Sequence, residues 1–355
     1  MKGKLSGIRV VDLSQFLPGP MLTRMMADQG AEVIKVEPPA GDPAREAGPF
    51  VDGVSVWFAN LNRGKQSVVL DLKTPDGTAA LTELLRGADV FVEGFRPGVM
   101  ARLGFGWDQV RAINPRIVYC SLSAFGQQGA LSQHPAHDMA VQAMAGFLSV
   151  NGSPPAVPGV ASADVAAGLT GLSAILMALI GRERTGLGDY LDIAMFDSLL
   201  PWCAHTAGSA LAGGDAPRPD NQRSLGGAAF YNVYETKDGR HVVLGGREIK
   251  FARSLLTALG RPDLIALAQA DAGAAQAPLI AFLRETFRTR TRDEWDAFMH
   301  DIDVAYAPVL DLTEALQQPH VAQRGLRRGH HIAPAIRFAG EDWQPGDVPP
   351  LGGNR

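Results

Sequence analysis

The sequence predicts an α/β protein with a parallel sheet and a second, smaller α+β domain. Three observations predict it. Gly7–Leu13, Met21–Gln29 and Ala31–Val36 read as strand, helix and strand joined by short links, which is a βαβ unit. Four more short segments, Ser67–Asp71, Asp89–Glu93, Ile117–Leu122 and Tyr190–Ala194, read as further strands. After a polar, proline-bearing linker at 214–224 the period changes to that of a hairpin followed by helices. The expected division is therefore a large domain from 1–213 together with 320–355, and a small one from 225–319.

The elements follow in order. The first strand, IRVVDL, leads into the loop Ser14–Pro20; this first turn carries only Gly19 and lacks the GxGxxG of dinucleotide sites. Thr74-Pro75-Asp76-Gly77 opens a helix to about Gly87. Gly94–Gly98 and then a short helix follow the strand Asp89–Glu93, and Asn114-Pro115 leads to the next strand. Pro135 is a natural first helical residue, with Met139, Val141, Met144, Phe147 and Leu148 at helical spacing behind it. Ser162 reads as the N-cap of a second helix whose body, Val165–Ile180, is apolar and core-like, and short for a membrane span. Phe196–Ala212 reads as helix. In the small domain Phe230–Glu235 and His241–Gly245 flank an Asp238-Gly239 turn, and Ile249–Leu259, Ala275–Phe287 and Arg292–Ile302 read as helices. The tail from His320 is expected to return to the first domain.

Composition narrows the function. With 46% hydrophobic and 20% charged residues in a chain of 355, the protein is globular with a sizeable core. A net charge of −4 argues against a general nucleic-acid or anionic-membrane binder. Cys120 and Cys203 make no metal motif or disulfide framework, and no histidine spacing suggests a metal. MKGKLSGIRVVDLS enters a strand directly, so a cytoplasmic location is expected.

Two helix starts carry ionisable residues. His137 falls in the first turn opened by Pro135, and Asp164 lies two residues beyond Ser162. A helix N-terminus offers unpaired N–H groups and partial positive charge, favouring an ionised Asp164 and a neutral His137, with N–H groups left over for an oxyanion. Acidic residues are common in first turns, so position alone does not separate catalysis from helix support. Glu248 stands in a similar setting after Gly245-Gly246. Arg96 and Arg102 follow a strand end directly, where ligands bind in open α/β sheets, and Arg63 and Lys65 sit in a loop that can fold towards it.

Taken together, GIRVVDLS, GAEVIKVEPPAGDPAR, LNRGKQSVVLDLKTPDG, ADVFVEGFRPGVMARLGFG, AHDMAVQAMAGFLSVNG, ADVAAGL, RTGLGDYLDIAMFDS and the terminal PPLGG resemble the class III CoA-transferase (CaiB/BaiF) family over nearly the whole chain. That family also contains the 2-methylacyl-CoA racemases. The resemblance implies a Rossmann-like large domain built from both chain ends, a smaller domain, and an interlocked homodimer. His137 in Ala136-His137-Asp138, the stretch Gly226–Gly239 and Gly245–Phe251 resemble the racemase branch, and no glycine-rich loop of the oxalate-linked transferases is visible. Gln142-Ala143 resembles the transferases, and Pro38 stands where relatives often carry an arginine near the adenine, a contact Arg45 is placed to replace.

The resemblance thus implies a racemase of 2-methyl-branched acyl-CoA thioesters. His137 would work on one face of the α-carbon and Asp164, paired with Glu248, on the other, with an enolate between. Lys65, Arg96, Arg102 and Arg45 would meet the CoA moiety. No metal, nicotinamide or flavin is implied, and the partners are the acyl-CoA and a second copy of the chain. The alternative is a CoA-transferase moving CoA between an acyl-CoA and a carboxylate, with Asp164 as covalent nucleophile.

Overall fold

The computed structural model describes residues 3–340 and 342–353. Its first compact unit takes in 1–145, 159–202 and 319–355. The second takes in 146–158 and 203–318. The large unit is indeed drawn from both ends of the chain. Its boundary differs from the expected one, because the loop 146–158 and residues 203–213 go with the second unit.

In the first unit the strands are β1 (Arg9–Asp12), β2 (Glu32–Glu37), β3 (Gln66–Val69), β4 (Val90–Glu93), β5 (Val118–Ser123) and β6 (Tyr190–Ala194). All neighbours pair in parallel, in the order β3-β2-β1-β4-β5-β6. This is a doubly wound sheet, and the direction of winding reverses between β1 and β4. Parallel strands are covered on both faces, which is why Val10, Val11, Phe91 and Val118 are all fully buried. Each such side chain contributes about 1.5–3 kcal/mol.

Helix α1 (Pro18–Asp28) follows β1, and α2 (Pro75–Arg86) follows β3. Thr74 caps α2 by accepting from the Gly77 N–H, and Pro75 fits the first turn, as expected. Leu81 and Leu85 of α2 close one face of the sheet with Phe91 and Tyr119. On the other face lies α4 (Ser162–Thr185), preceded by the shorter α3 (Asp138–Met144). By length and composition α4 could cross a membrane, but its small residues pack it into the core against α1, β5 and β6. Gly168 is what permits this: a Cβ there would sit 2.4 Å from the Met21 methyl and 2.9 Å from the Pro18 carbonyl oxygen.

Both helix starts differ from expectation. Helix α3 begins at Asp138, with His137 in the extended N-cap position, rather than at Pro135. Helix α4 is capped by Ala161, and Ser162 is already helical.

The second unit holds an antiparallel sheet of β7 (Tyr231–Glu235), β8 (His241–Gly245) and β9 (Tyr306–Pro308), ordered β9-β8-β7. Tyr234, Val242 and Leu244 bury against Leu255, Leu283, Phe287 and Trp295 from α5 (Ile249–Ala258), α6 (Ala277–Phe287) and α7 (Arg292–Met299).

Candidate active site

The loops after β1, β4 and β5 enclose a cavity of about 520 Å³ within the first unit. It lies at the carboxyl ends of β1 and β4, the reversal point of the sheet, where ligands of doubly wound folds bind. Ser14, Phe16 and Gly19 line it after β1, and Phe95 and Arg96 after β4. Gln15, Ser123, Ser132, His134, His137 and Asp164 are also in its lining. A second cavity of about 610 Å³, at the other end of α1 beside Arg324, Arg337 and Trp343, holds none of the expected acid/base residues.

Asp164 sits in the first turn of α4, but the free helix start expected there is occupied. The Asp138 carboxylate reaches across from α3. Its Oδ1 accepts from the N–H groups of Ala163 (2.8 Å) and Asp164 (3.1 Å). The next donors are also used, since the Ser162 N–H bonds the Val160 carbonyl and the Val165 N–H bonds the Ala161 carbonyl. No first-turn donor of α4 is left for an oxyanion, contrary to expectation. The other oxygen of Asp138 accepts from Gln142 Nε2 at 2.5 Å, and that amide also donates to the Val160 carbonyl. Gln142 is fully buried, with its Oε1 lacking a partner among the described residues.

This arrangement reverses the electrostatics read from the sequence. Burial, with the charge of Asp138 beside it, pushes the Asp164 carboxyl up to about 7. The helix N-terminus supports Asp138, and Asp164 carries the repulsion. Asp138 is the residue that reading of the sequence missed. The signal was present in Asp138 and Gln142, an acid and an amide four residues apart on one helix face. Which helix that acid would cap is a tertiary fact.

The remaining expected residues fall in different places. His137 is exposed, lines the cavity and presents its ring edge-on to Phe16, with centroids 6.2 Å apart. Glu248 is the exposed N-cap residue of α5 in the second unit, and its side chain makes no cap. Within the first unit the carboxylate beside Asp164 is Asp138.

Arg96 is exposed in the loop Gly94–Gly98. Glu93, buried at the end of β4 and pushed up to about 7 by that burial, anchors this loop by accepting from the Phe95 N–H. Arg102 is exposed on the short helix that continues it, with its guanidinium packed over Gly98.

Lys65 and Arg45 do not offer free charge. Lys65 is buried, ion-paired to Asp12 at 3.0 Å, and also donates to Asn62 Oδ1 and the Pro20 carbonyl. Its three hydrogens are spent, and burial pushes it down to about 8 despite Asp12. For Asp12 burial works upward, but Lys65 and Lys35 together with hydrogen bonds from Ser14 and Thr23 outweigh it and hold the group at about 2. Arg45 forks onto Glu37 at 2.6 and 2.8 Å, donates to the Pro349 carbonyl and stacks on Phe58. Arg63 is buried, with Asp28 and the Ile332 carbonyl as partners. Lys65, expected at the CoA phosphates, and Arg45, expected near the adenine, thus both make structural ties in this fold. Among the described residues no cluster of metal-binding side chains occurs.

Comparison with known proteins fits this geometry. The model of the family described as CoA-transferase family III matches residues 5–351. An acetyl-CoA:oxalate CoA-transferase of Acetobacter aceti is 37% identical over 334 residues, covering 92% of this chain and 85% of that protein. A succinate–glutarate CoA-transferase of Agrobacterium fabrum is 36% identical, with 92% and 85% covered. The crystal structure of a CaiB/BaiF family protein from Brucella suis superposes with a TM-score of 0.87 at 31% identity, covering 99% and 97%. These similarities overturn the racemase expectation: the curated relatives named are transferases, including one acting with oxalate, although no glycine-rich loop is visible here. His137 and the small-domain motif are the residues that had favoured the racemase branch. The chain belongs to CoA-transferase family III.

Proposed function

We propose that the protein transfers CoA from an acyl-CoA to a free carboxylate, with Asp164 as covalent carrier. The observation that supports this reading is a cavity-lining carboxyl held near pKa 7 by burial and by Asp138. A carboxylate of raised pKa is a stronger nucleophile than an ordinary one, and at neutral pH it is still substantially ionised. Asp164 attacks the thioester carbonyl, expelling the CoA thiolate and forming an acyl-aspartyl anhydride. The thiolate attacks the Asp164 carbonyl of that anhydride and releases the first carboxylate, leaving an aspartyl-CoA thioester. The acceptor carboxylate attacks this thioester and expels the thiolate, which then attacks the acceptor carbonyl of the new anhydride and restores Asp164. Every electron pair stays within the two substrates and one side chain, so the scheme needs no redox cofactor.

His137, in the same cavity, donates a hydrogen bond to the developing oxyanions, the task for which α4 has no free N–H. Arg96 and Arg102, both exposed on the loop and short helix after β4, hold the phosphates. The acceptors named for the relatives suggest a small dicarboxylate such as oxalate or glutarate. The α4 residues Leu169, Met177 and Ile180 stay exposed along the helix, which supports a homodimer burying that stripe. The reading is tested by mixing protein, acetyl-CoA and a panel of dicarboxylates, then treating with hydroxylamine. Asp164 should be recovered as a hydroxamate, and Asp164→Ala should abolish both the label and CoA exchange. Exchange that survives in Asp164→Ala refutes the covalent role.

A further inference from the structure

Phe16 carries a backbone that its side chain does not favour. Among the described residues three non-glycine positions have positive φ: Phe16 (63°), Asp52 (49°) and Asp220 (71°). Aspartate tolerates this left-handed region because its short side chain bonds locally, whereas for a bulky aromatic residue it is an outlier. The chain is tied down on both sides of Phe16. The Ser14 N–H and Oγ both bond Asp12, and Lys35 Nζ donates to the Ser14 carbonyl at 2.9 Å. On the far side the Met21 N–H already closes α1 onto the Leu17 carbonyl. Gly19 presses so closely on Ser14 that a Cβ there would lie 2.2 Å from the Ser14 side chain.

Burial does not compensate for the strain, since Phe16 is 42% exposed. Its ring instead lines the cavity that holds Asp164 and meets the edge of His137. A strained residue that contributes little to the core and faces the reacting carboxyl has its use in the site.

We infer that Phe16 is a specificity-determining wall, placed by the strained loop, that limits the size of the acyl group presented to Asp164. The inference rests on the transferase reading. A substituted acyl chain on the thioester carbonyl must pass the aromatic surface made by Phe16 and the His137 ring. A small residue at position 16 opens that surface and at the same time relaxes the backbone.

The test compares wild type with Phe16→Gly, Phe16→Asn and Phe16→Trp in the full-length chain. It measures kcat/KM for acetyl-CoA and hexanoyl-CoA with one acceptor, together with hydroxylamine trapping and thermal melting. The hexanoyl-to-acetyl ratio should rise at least tenfold in Phe16→Gly and Phe16→Asn and fall in Phe16→Trp, with the Gly and Asn variants melting at or above the wild-type temperature. If all four proteins trap CoA on Asp164 but the ratio stays within twofold, the wall is refuted and the transferase reading stands. If Phe16→Gly and Phe16→Asn both melt well below wild type, Phe16 is a packing residue and the inference fails. If wild type traps no CoA with any acyl donor, the transferase reading itself falls, and the wall with it.

Discussion

Replacing Asp164 by asparagine should abolish turnover and stabilise the fold at alkaline pH. The Asp164 carboxyl moves from an ordinary 3.8 to about 7 in the folded protein. At 1.36 kcal/mol per unit, the ionised form costs at most about 4 kcal/mol. Partial access of solvent through the cavity screens this, so about 2 kcal/mol is the expected gain at pH 8. The sign follows from proton linkage. Between about pH 4 and 7 the folded protein holds a proton that the unfolded chain has lost, so stability falls as pH rises through that window. Below it both states are protonated and the cost vanishes. Asparagine does not titrate, and its amide can donate to Asp138 where the carboxylate repelled it. Urea denaturation of both proteins should therefore show an advantage for Asp164→Asn at pH 8 that shrinks to less than half at pH 5. An equal advantage at both values, or a loss at pH 8, would refute the claim that Asp164 is held ionised against its surroundings.

Asp138→Asn removes the neighbouring charge while its Oδ1 can still accept from Ala163 and Asp164, and the Gln142 amide can turn its unpartnered Oε1 towards the new donor. The pH–rate profile of the transfer should then move about one unit to lower pH, because a like charge beside Asp164 has gone; an unmoved profile would exclude Asp138 as its cause. Lys65→Met should lower the unfolding free energy by about 3–5 kcal/mol, measured by denaturant titration, because it removes the ion-pair partner of a fully buried Asp12. A variant of wild-type stability with a raised KM for acyl-CoA would restore the phosphate role for Lys65. Arg96→Ala should raise the KM for acyl-CoA by about tenfold with little change in melting temperature, since one exposed ionic contact of about 1.4 kcal/mol is lost. An unchanged KM would take Arg96 out of the binding site.

Much of the fold was legible because its signals are local. Apolar runs marked all six parallel strands, Thr74-Pro75 marked the start of α2, and Asp238-Gly239 marked the hairpin. Glycines 168 and 171 were visible, yet their use in bringing α4 onto α1 depends on which helix lies opposite. The site was legible at Asp164 and His137 for the same local reason. Errors arose where a charge is satisfied by a residue distant in sequence. Lys65 and Asp12 are 53 residues apart, and Arg45 meets the Pro349 carbonyl 304 residues away. An aspartate inside the apolar strand IRVVDL was itself a hint, since such a carboxylate requires a buried partner, and a lysine in a loop running towards that strand was the nearest supply. The small-domain motif that favoured the racemase lies in the second unit and says nothing about which group attacks. Gln142, which resembled the transferases, is the residue that orients Asp138 beside Asp164.

The groups around the cavity share a physical character that explains how they hold together. Asp164 is ionised at a cost, and Phe16 is strained, so both would relax if the loop after β1 or the start of α4 were free to move. Neither is free. Asp12 ties the β1 loop through Ser14 and Thr23 and is itself held by Lys65, while Asp138 fixes the first turn of α4 through two backbone N–H groups. The buried ion pair and the cross-helix cap are therefore the counterweight to the strained loop and the destabilised carboxyl. In the proposed transfer a carboxylate carried on a mobile loop would lose the alignment that attack on a thioester needs. Lys65 and Arg45, two of the basic residues expected at the substrate, grip the scaffold, whereas Arg96 and Arg102, on the chain that leaves β4, are exposed.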